Sequence, residues 1–180
     1  MRSSSDPVRL TVRATRVVAA AVVLAGCGAG DGPETDPAAS APTTSGSAQP
    51  GAFVGECGSL TDAEVYERAG ITGLTPVSRN GIKCRWEADG GERYVMFTWY
   101  RGSPIDRERS VAKGIGHEVH DLEIAGHRGF SSQNVGFCEV ALGTGSDFVH
   151  WLVRYGTGTA PSDPCAAPTA LGRLTLEKVR

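Results

Sequence analysis

Apolar and polar residues alternate along much of the second half of the chain. From Phe148 to Tyr155, Val149, Trp151, Val153 and Tyr155 share one face, while His150 and Arg154 give the other a mixed character. A period of two predicts a strand with one buried face. Phe137, Cys138, Val140 and Leu142 predict another, turned by Gly143-Thr144-Gly145-Ser146. Arg93 to Tyr100 is the most apolar stretch, with Val95, Phe97 and Trp99 on one side and Tyr94, Met96 and Tyr100 on the other. That pattern predicts a central strand covered on both faces. Ile82 to Glu87 reads as a strand between the turns Asn80-Gly81 and Ala88-Asp89-Gly90-Gly91. Glu118 to Ile124 predicts a further strand, and Gly126 a tight turn into a short one through Arg128, Gly129 and Phe130.

Helix signals punctuate these strands. Thr61 as N-cap and Glu64 three residues on form a capping box, Leu60 is placed to staple onto Val65, and Gly70 stops the helix. Ser103-Pro104-Ile105-Asp106 predicts a second helix with Ser103 as cap, running to about Lys113. Asp163-Pro164 resembles the start of a third, but Pro168 interrupts it, so the helix begins at Pro164 or at Pro168 and runs to about Lys178. Strands joined by hairpins and mixed with about three short helices predict an α+β fold. The helices would pack on a single antiparallel or mixed sheet.

The N-terminus follows different rules. Val17 to Ala25 is an apolar run behind Arg2, Arg9, Arg13 and Arg16, and it ends in Leu24-Ala25-Gly26-Cys27. As a helix it rises only about 14 Å, too little for a bilayer core of roughly 30 Å. Basic flank, short apolar core and small residues before a cut make a secretory signal. The Leu-Ala-Gly-Cys end resembles the bacterial lipoprotein signal, which implies a lipid on Cys27 as the first mature residue. Residues 28–56 are almost all Gly, Ala, Ser, Thr, Pro and Asp, too poor in apolar surface to repay the entropy of ordering. The predicted organisation is a signal peptide over 1–26, a lipidated cysteine with a disordered tether over 27–56, and a folded domain over 57–180.

Composition narrows the partners. A net charge of −2 with interspersed signs leaves no basic stripe, which excludes nucleic acid and a polybasic membrane patch. Membrane contact is therefore expected through the lipid on Cys27, on the outer face of the cell membrane. Cys57, Cys84, Cys138 and Cys165 form an even set in an exported chain and predict two disulfides, with three pairings open. No Cys-x-x-Cys spacing suggests a metal site.

The helix opening Cys57-Gly58-Ser59-Leu60-Thr61, the Cys84-Arg85-Trp86 strand and Asp163-Pro164-Cys165 together make the chain resemble the DUF3558 group of actinobacterial secreted lipoproteins. The resemblance covers most of residues 57–178 and implies a membrane-anchored protein facing outward, with no catalytic residues to carry over. It also points to Cys57–Cys84 and Cys138–Cys165 as the pairs. Each of those bonds would fasten a weakly held terminal helix to the sheet.

Candidate chemistry is sparse. His117 and His120 lie three apart, whereas a zinc-protease helix needs four, and His127 and His150 complete no ligand pattern. Neither Ser131 nor Ser132 sits in a Gly-x-Ser-x-Gly elbow, and Gly143-Thr144-Gly145 lacks the lysine of a phosphate loop. No metal or cofactor is expected. Trp86, Trp99, Tyr100, Trp151 and Tyr155, with Arg85, Arg101 or Arg154 at a rim, are the candidates for an apolar groove that would bind a small apolar molecule or an envelope protein. A non-catalytic binding or accessory module is thus the leading reading. A structural lipoprotein without a pocket is the alternative, and a hydrolase comes last.

Overall fold

The computed structural model describes residues 51–157 and 160–179. Seven strands form one antiparallel sheet in the order β1-β2-β3-β7-β6-β5-β4. They are β1 (Thr75–Arg79), β2 (Lys83–Ala88), β3 (Arg93–Tyr100), β4 (Glu118–Ile124), β5 (His127–Asn134), β6 (Phe137–Thr144) and β7 (Asp147–Arg154). Three helices accompany them: α1 (Asp62–Ala69), α2 (Ile105–Gly114) and α3 (Ala166–Lys178). Two hairpin meanders, β1–β3 and β4–β7, are joined by the α2 crossover, and β7 closes the sheet by pairing with β3. The α+β expectation holds.

α1 starts as the sequence dictates. Thr61 Oγ1 accepts the Glu64 N–H at 3.3 Å, and Glu64 Oε2 accepts the Thr61 N–H at 2.9 Å. Leu60 and Val65 are both buried, and Gly70 ends the helix at φ 64°, a left-handed turn that glycine adopts without strain. Both disulfides join the expected pairs, with Cα separations of 5.4 Å for Cys57–Cys84 and 5.1 Å for Cys138–Cys165. The chain joins the core ahead of Cys57, because Val54 is fully buried.

Several boundaries differ from expectation. β1 has no counterpart in the sequence reading: all five of its residues are exposed, so no alternation betrays it. β7, not β3, is the middle strand, and on β3 only Val95, Phe97 and Trp99 are fully covered. β5 is eight residues long rather than short. Pro104, not Ser103, occupies the cap position of α2, and Ser103 Oγ instead accepts from the Arg107 guanidinium at 2.9 Å. α3 starts at Ala166, between the two expected places. Asp163 Oδ1 accepts the Cys165 N–H at 3.0 Å and sets the preceding turn. Pro168 is then the third helical residue, where an amide has no intrahelical partner to lose.

The sheet has two unlike faces. α1 and α3 lie on the face formed by Trp86, Val95, Phe97, Val140, Leu142, Trp151 and Val153, all essentially inaccessible. α3 comes close because Gly172 lacks a side chain; a Cβ there would meet Leu142 Cδ1 at 2.7 Å. α2 covers part of the opposite face, over a small core of Ala112, Phe130, Ala141 and Phe148.

Candidate functional site

The expected aromatic groove does not form. Trp86 and Trp151 are fully buried, with ring centroids 6.1 Å apart and nearly parallel. Their N–H groups are satisfied inside the protein, Trp86 Nε1 donating to Asp62 Oδ1 at 2.6 Å and Trp151 Nε1 to Thr175 Oγ1 at 3.0 Å. Trp99 is 5% exposed, with Phe53 edge-on at 5.5 Å and the Arg101 guanidinium over it at 4.9 Å. The tryptophans fall on the face that α1 and α3 cover, so they fill the core. Arg154 is exposed on the other face. Tyr155 borders a shallow hollow of about 470 Å³ with Ala166, Ala167 and Ala170 of α3. Burial, then the nearby Asp163 carboxylate, push its phenol up to about 12. Cys27 lies outside the described residues.

A different site emerges under α2. Register aligns Phe130 of β5, Ala141 of β6, His150 of β7 and Thr98 of β3 across one row of the sheet. The next row on that face runs Ser132, Glu139, Leu152 and Met96. The two rows thus set His150 and Glu139 on this face beside Ala141 and Leu152, with Thr98 and Ser132 as their other neighbours. α2 lies over this patch and encloses a cavity of about 170 Å³. Tyr100, Ala112, Phe130 and Phe148 form its apolar walls, Val111 and Ile115 are exposed at its edge, and Glu108, His117, Glu139 and His150 add polar groups. A larger hollow of about 700 Å³ between α2 and the β4–β5 edge is open and lined by paired charges such as Arg109 and Asp121.

The polar groups form a chain. His150 Nε2 lies 3.0 Å from Glu139 Oε2, with only 10% and 17% of the two side chains exposed. His117 Nδ1 lies 3.0 Å from the hydroxyl of Ser132, which is itself fully buried. Burial pushes the Glu139 carboxyl upward, but hydrogen bonds from His150 and Ser132, with the two histidine charges, outweigh it and leave the pKa lowered. Glu139 is therefore a carboxylate and accepts only, which requires the hydrogen on His150 Nε2. The other nitrogen, Nδ1, is buried without a hydrogen-bond partner among the described residues. Tyr100 stacks on Phe148 at 4.4 Å; burial, then the Glu108 and Glu139 charges, raise its pKa and keep the phenol neutral.

This arrangement suits binding better than catalysis. Ser132 meets a histidine, as a nucleophile would, yet it is inaccessible and its hydroxyl is engaged by its neighbours. No group of three or more potential ligands for a metal ion occurs among the described residues. Sequence reasoning missed the cavity. The available signals were the aromatic Tyr100 and two polar residues inside largely apolar strands, Glu139 and His150.

The molecule is thus a disulfide-stapled α+β domain with a small half-enclosed cavity and no metal cluster among its described residues. A family model described as "Protein of unknown function (DUF3558)" matches residues 22–178, and the chain belongs to that family. Relatives carrying the name "Putative lipoprotein LprB" occur in Mycobacterium bovis and Mycobacterium tuberculosis. Each is 34% identical over 178 residues, spanning 93% of this chain and 95% of the relative. The Mycobacterium leprae relative is 36% identical over 128 residues, 67% of this chain and 68% of its own. No solved structure matches the chain.

Proposed function

We propose that this chain is a lipid-anchored, non-catalytic binding module of the cell envelope, and that the cavity under α2 is its ligand seat. The observation that carries the seat is the buried Glu139–His150 pair beside an apolar cavity, with His150 Nδ1 unpartnered. Buried polar groups are normally satisfied, and of the buried side-chain atoms without a partner among the described residues His150 Nδ1 alone belongs to this cavity's lining. An apolar pocket holding a few polar groups is the usual form of a small-molecule site. The anchor rests on the Leu24-Ala25-Gly26-Cys27 end and on the lipoprotein name of the relatives. In this reading residues 1–26 are removed, Cys27 carries the lipid on the outer face of the membrane, and the chain from residue 28 tethers the domain up to where Phe53 and Val54 join it. A tether of this composition reaches roughly 30 Å.

Two experiments test the reading. Metabolic labelling with a fatty-acid analogue should tag the full chain and leave Cys27→Ser unlabelled; equal labelling of both removes the anchor. Screening the full chain by protein-observed NMR against small amphiphiles should shift resonances of Tyr100, Ile115 and His117 first. Ile115→Trp, at the cavity edge, should abolish those shifts. Shifts clustered elsewhere, or unaffected by Ile115→Trp, would remove the seat.

A further inference from the structure

Two carboxylates and two histidines line the cavity. Glu139 on β6 and Glu108 on α2 bring carboxylates to opposite walls, and both sit close enough to Tyr100 for their charges to act on its phenol. Glu139 contacts His150, which is 8% exposed and whose Nδ1 has no hydrogen-bond partner among the described residues. No lysine or arginine lines the cavity; Arg107, which pairs with Glu108 at 2.9 Å, is largely exposed. The charged side chains of the lining are thus two carboxylates, set with His117 and His150 around an aromatic ring. A cavity of about 170 Å³ is close in size to one known to hold a single benzene ring, at about 150 Å³.

We propose that the cavity under α2 takes a small organic cation, a protonated amine on a body of about one ring, held between the Glu108 and Glu139 carboxylates over Tyr100. The proposal rests on the binding reading above and deepens it. An ammonium brings three donors to a site supplied with acceptors, and its charge is attracted by the tyrosine face. A carboxylate or phosphate ligand would meet the like charges of Glu108 and Glu139. A metal ion is not the occupant, because no three ligating side chains converge among the described residues.

Three probes of matched size separate the possibilities: benzylamine, benzyl alcohol and benzoate, titrated against the full chain at neutral pH by NMR. Benzylamine should bind about tenfold tighter than benzyl alcohol, the increment of one charge-assisted hydrogen bond over a neutral one. Benzoate should not bind. Glu139→Gln should erase the preference. Glu108→Gln, which leaves the buried pair intact, should reduce it to about threefold, half of the binding increment. Thermal unfolding of each variant establishes that it is folded. Equal binding of amine and alcohol, or tighter binding of benzoate, overturns the cation assignment and leaves the ligand seat standing. Binding of none of the three overturns both.

Discussion

The two faces of the sheet are built to different standards. Beneath α1 and α3, large side chains are sealed, both disulfides attach, and the indole N–H groups of Trp86 and Trp151 have partners. Beneath α2, four small or aromatic residues make the whole fully buried apolar contact, and two histidines, a glutamate and a serine sit among them. α2 itself buries only Ala112 fully and exposes Val111 and Ile115. The difference teaches a division of labour. One face supplies most of the burial that holds the fold, which leaves the other free to keep polar groups that a stability-driven core would replace.

The largest effects should therefore come from the helical core. Trp151→Ala removes a fully buried ring and leaves Thr175 without its donor, at a cost of about 3–5 kcal/mol. An equilibrium urea titration measures it, and a loss under about 1 kcal/mol would mean that this face is not the dominant core. Next comes the Cys138–Cys165 bond, which fixes the start of α3 to β6. With a sequence separation of 27 residues, its removal by Cys138→Ala with Cys165→Ala should cost about 3.5 kcal/mol on the chain-entropy account. Hydrogen exchange should place the first opening in α3, with the α2 face unaffected. Simultaneous loss of protection on both faces would erase the distinction.

Local signals were legible in the sequence, and long-range ones were not. The Thr61–Glu64 capping box, the Gly70 stop and the alternation of β7 each involve residues a few positions apart. β1 was invisible because its five residues are all exposed, and only pairing with β2 makes it a strand. The tryptophans fill the core rather than a groove, a difference invisible in sequence because aromatic composition says nothing about which face a helix covers. Glu139 and His150 are 11 residues apart on neighbouring strands, so their contact depends on register. That α2 crosses over them follows from topology alone. A polar residue in an alternating strand looks the same from sequence whether water or a helix lies above it.

A double-mutant cycle on Glu139 and His150 sharpens the contrast at smaller magnitude. Glu139→Leu or His150→Phe alone strands one polar partner in a confined space, and each should cost about 1–3 kcal/mol. The double variant should cost less than the sum of the two, because replacing both members with apolar groups removes the stranded charge. Additive costs would show that the pair contributes nothing as a pair.

The smallest expected effect lies at the rim of the strong face, where Glu64 links two helices. Its carboxylate accepts from Thr61 at the start of α1 and meets Lys178 Nζ near the end of α3 at 2.7 Å. The Lys178 hydrogen bond, followed by those from Thr61, lowers its pKa from 4.5 to about 2. A carboxyl with a lower pKa when folded stabilises the protein fully above its unfolded value and loses that contribution as acid protonates the folded form. Stability should thus fall from pH 4.5 towards about 2, and Glu64→Gln should flatten part of that slope. Because the pair is partly exposed, with 30% of the Glu64 side chain accessible, added salt should shrink the difference. The Glu139–His150 pair, more deeply enclosed, should respond less to salt. Urea midpoints for both variants across this window, at low and high salt, decide the matter. An acid slope unchanged by Glu64→Gln would mean that the α1–α3 link does not contribute to stability.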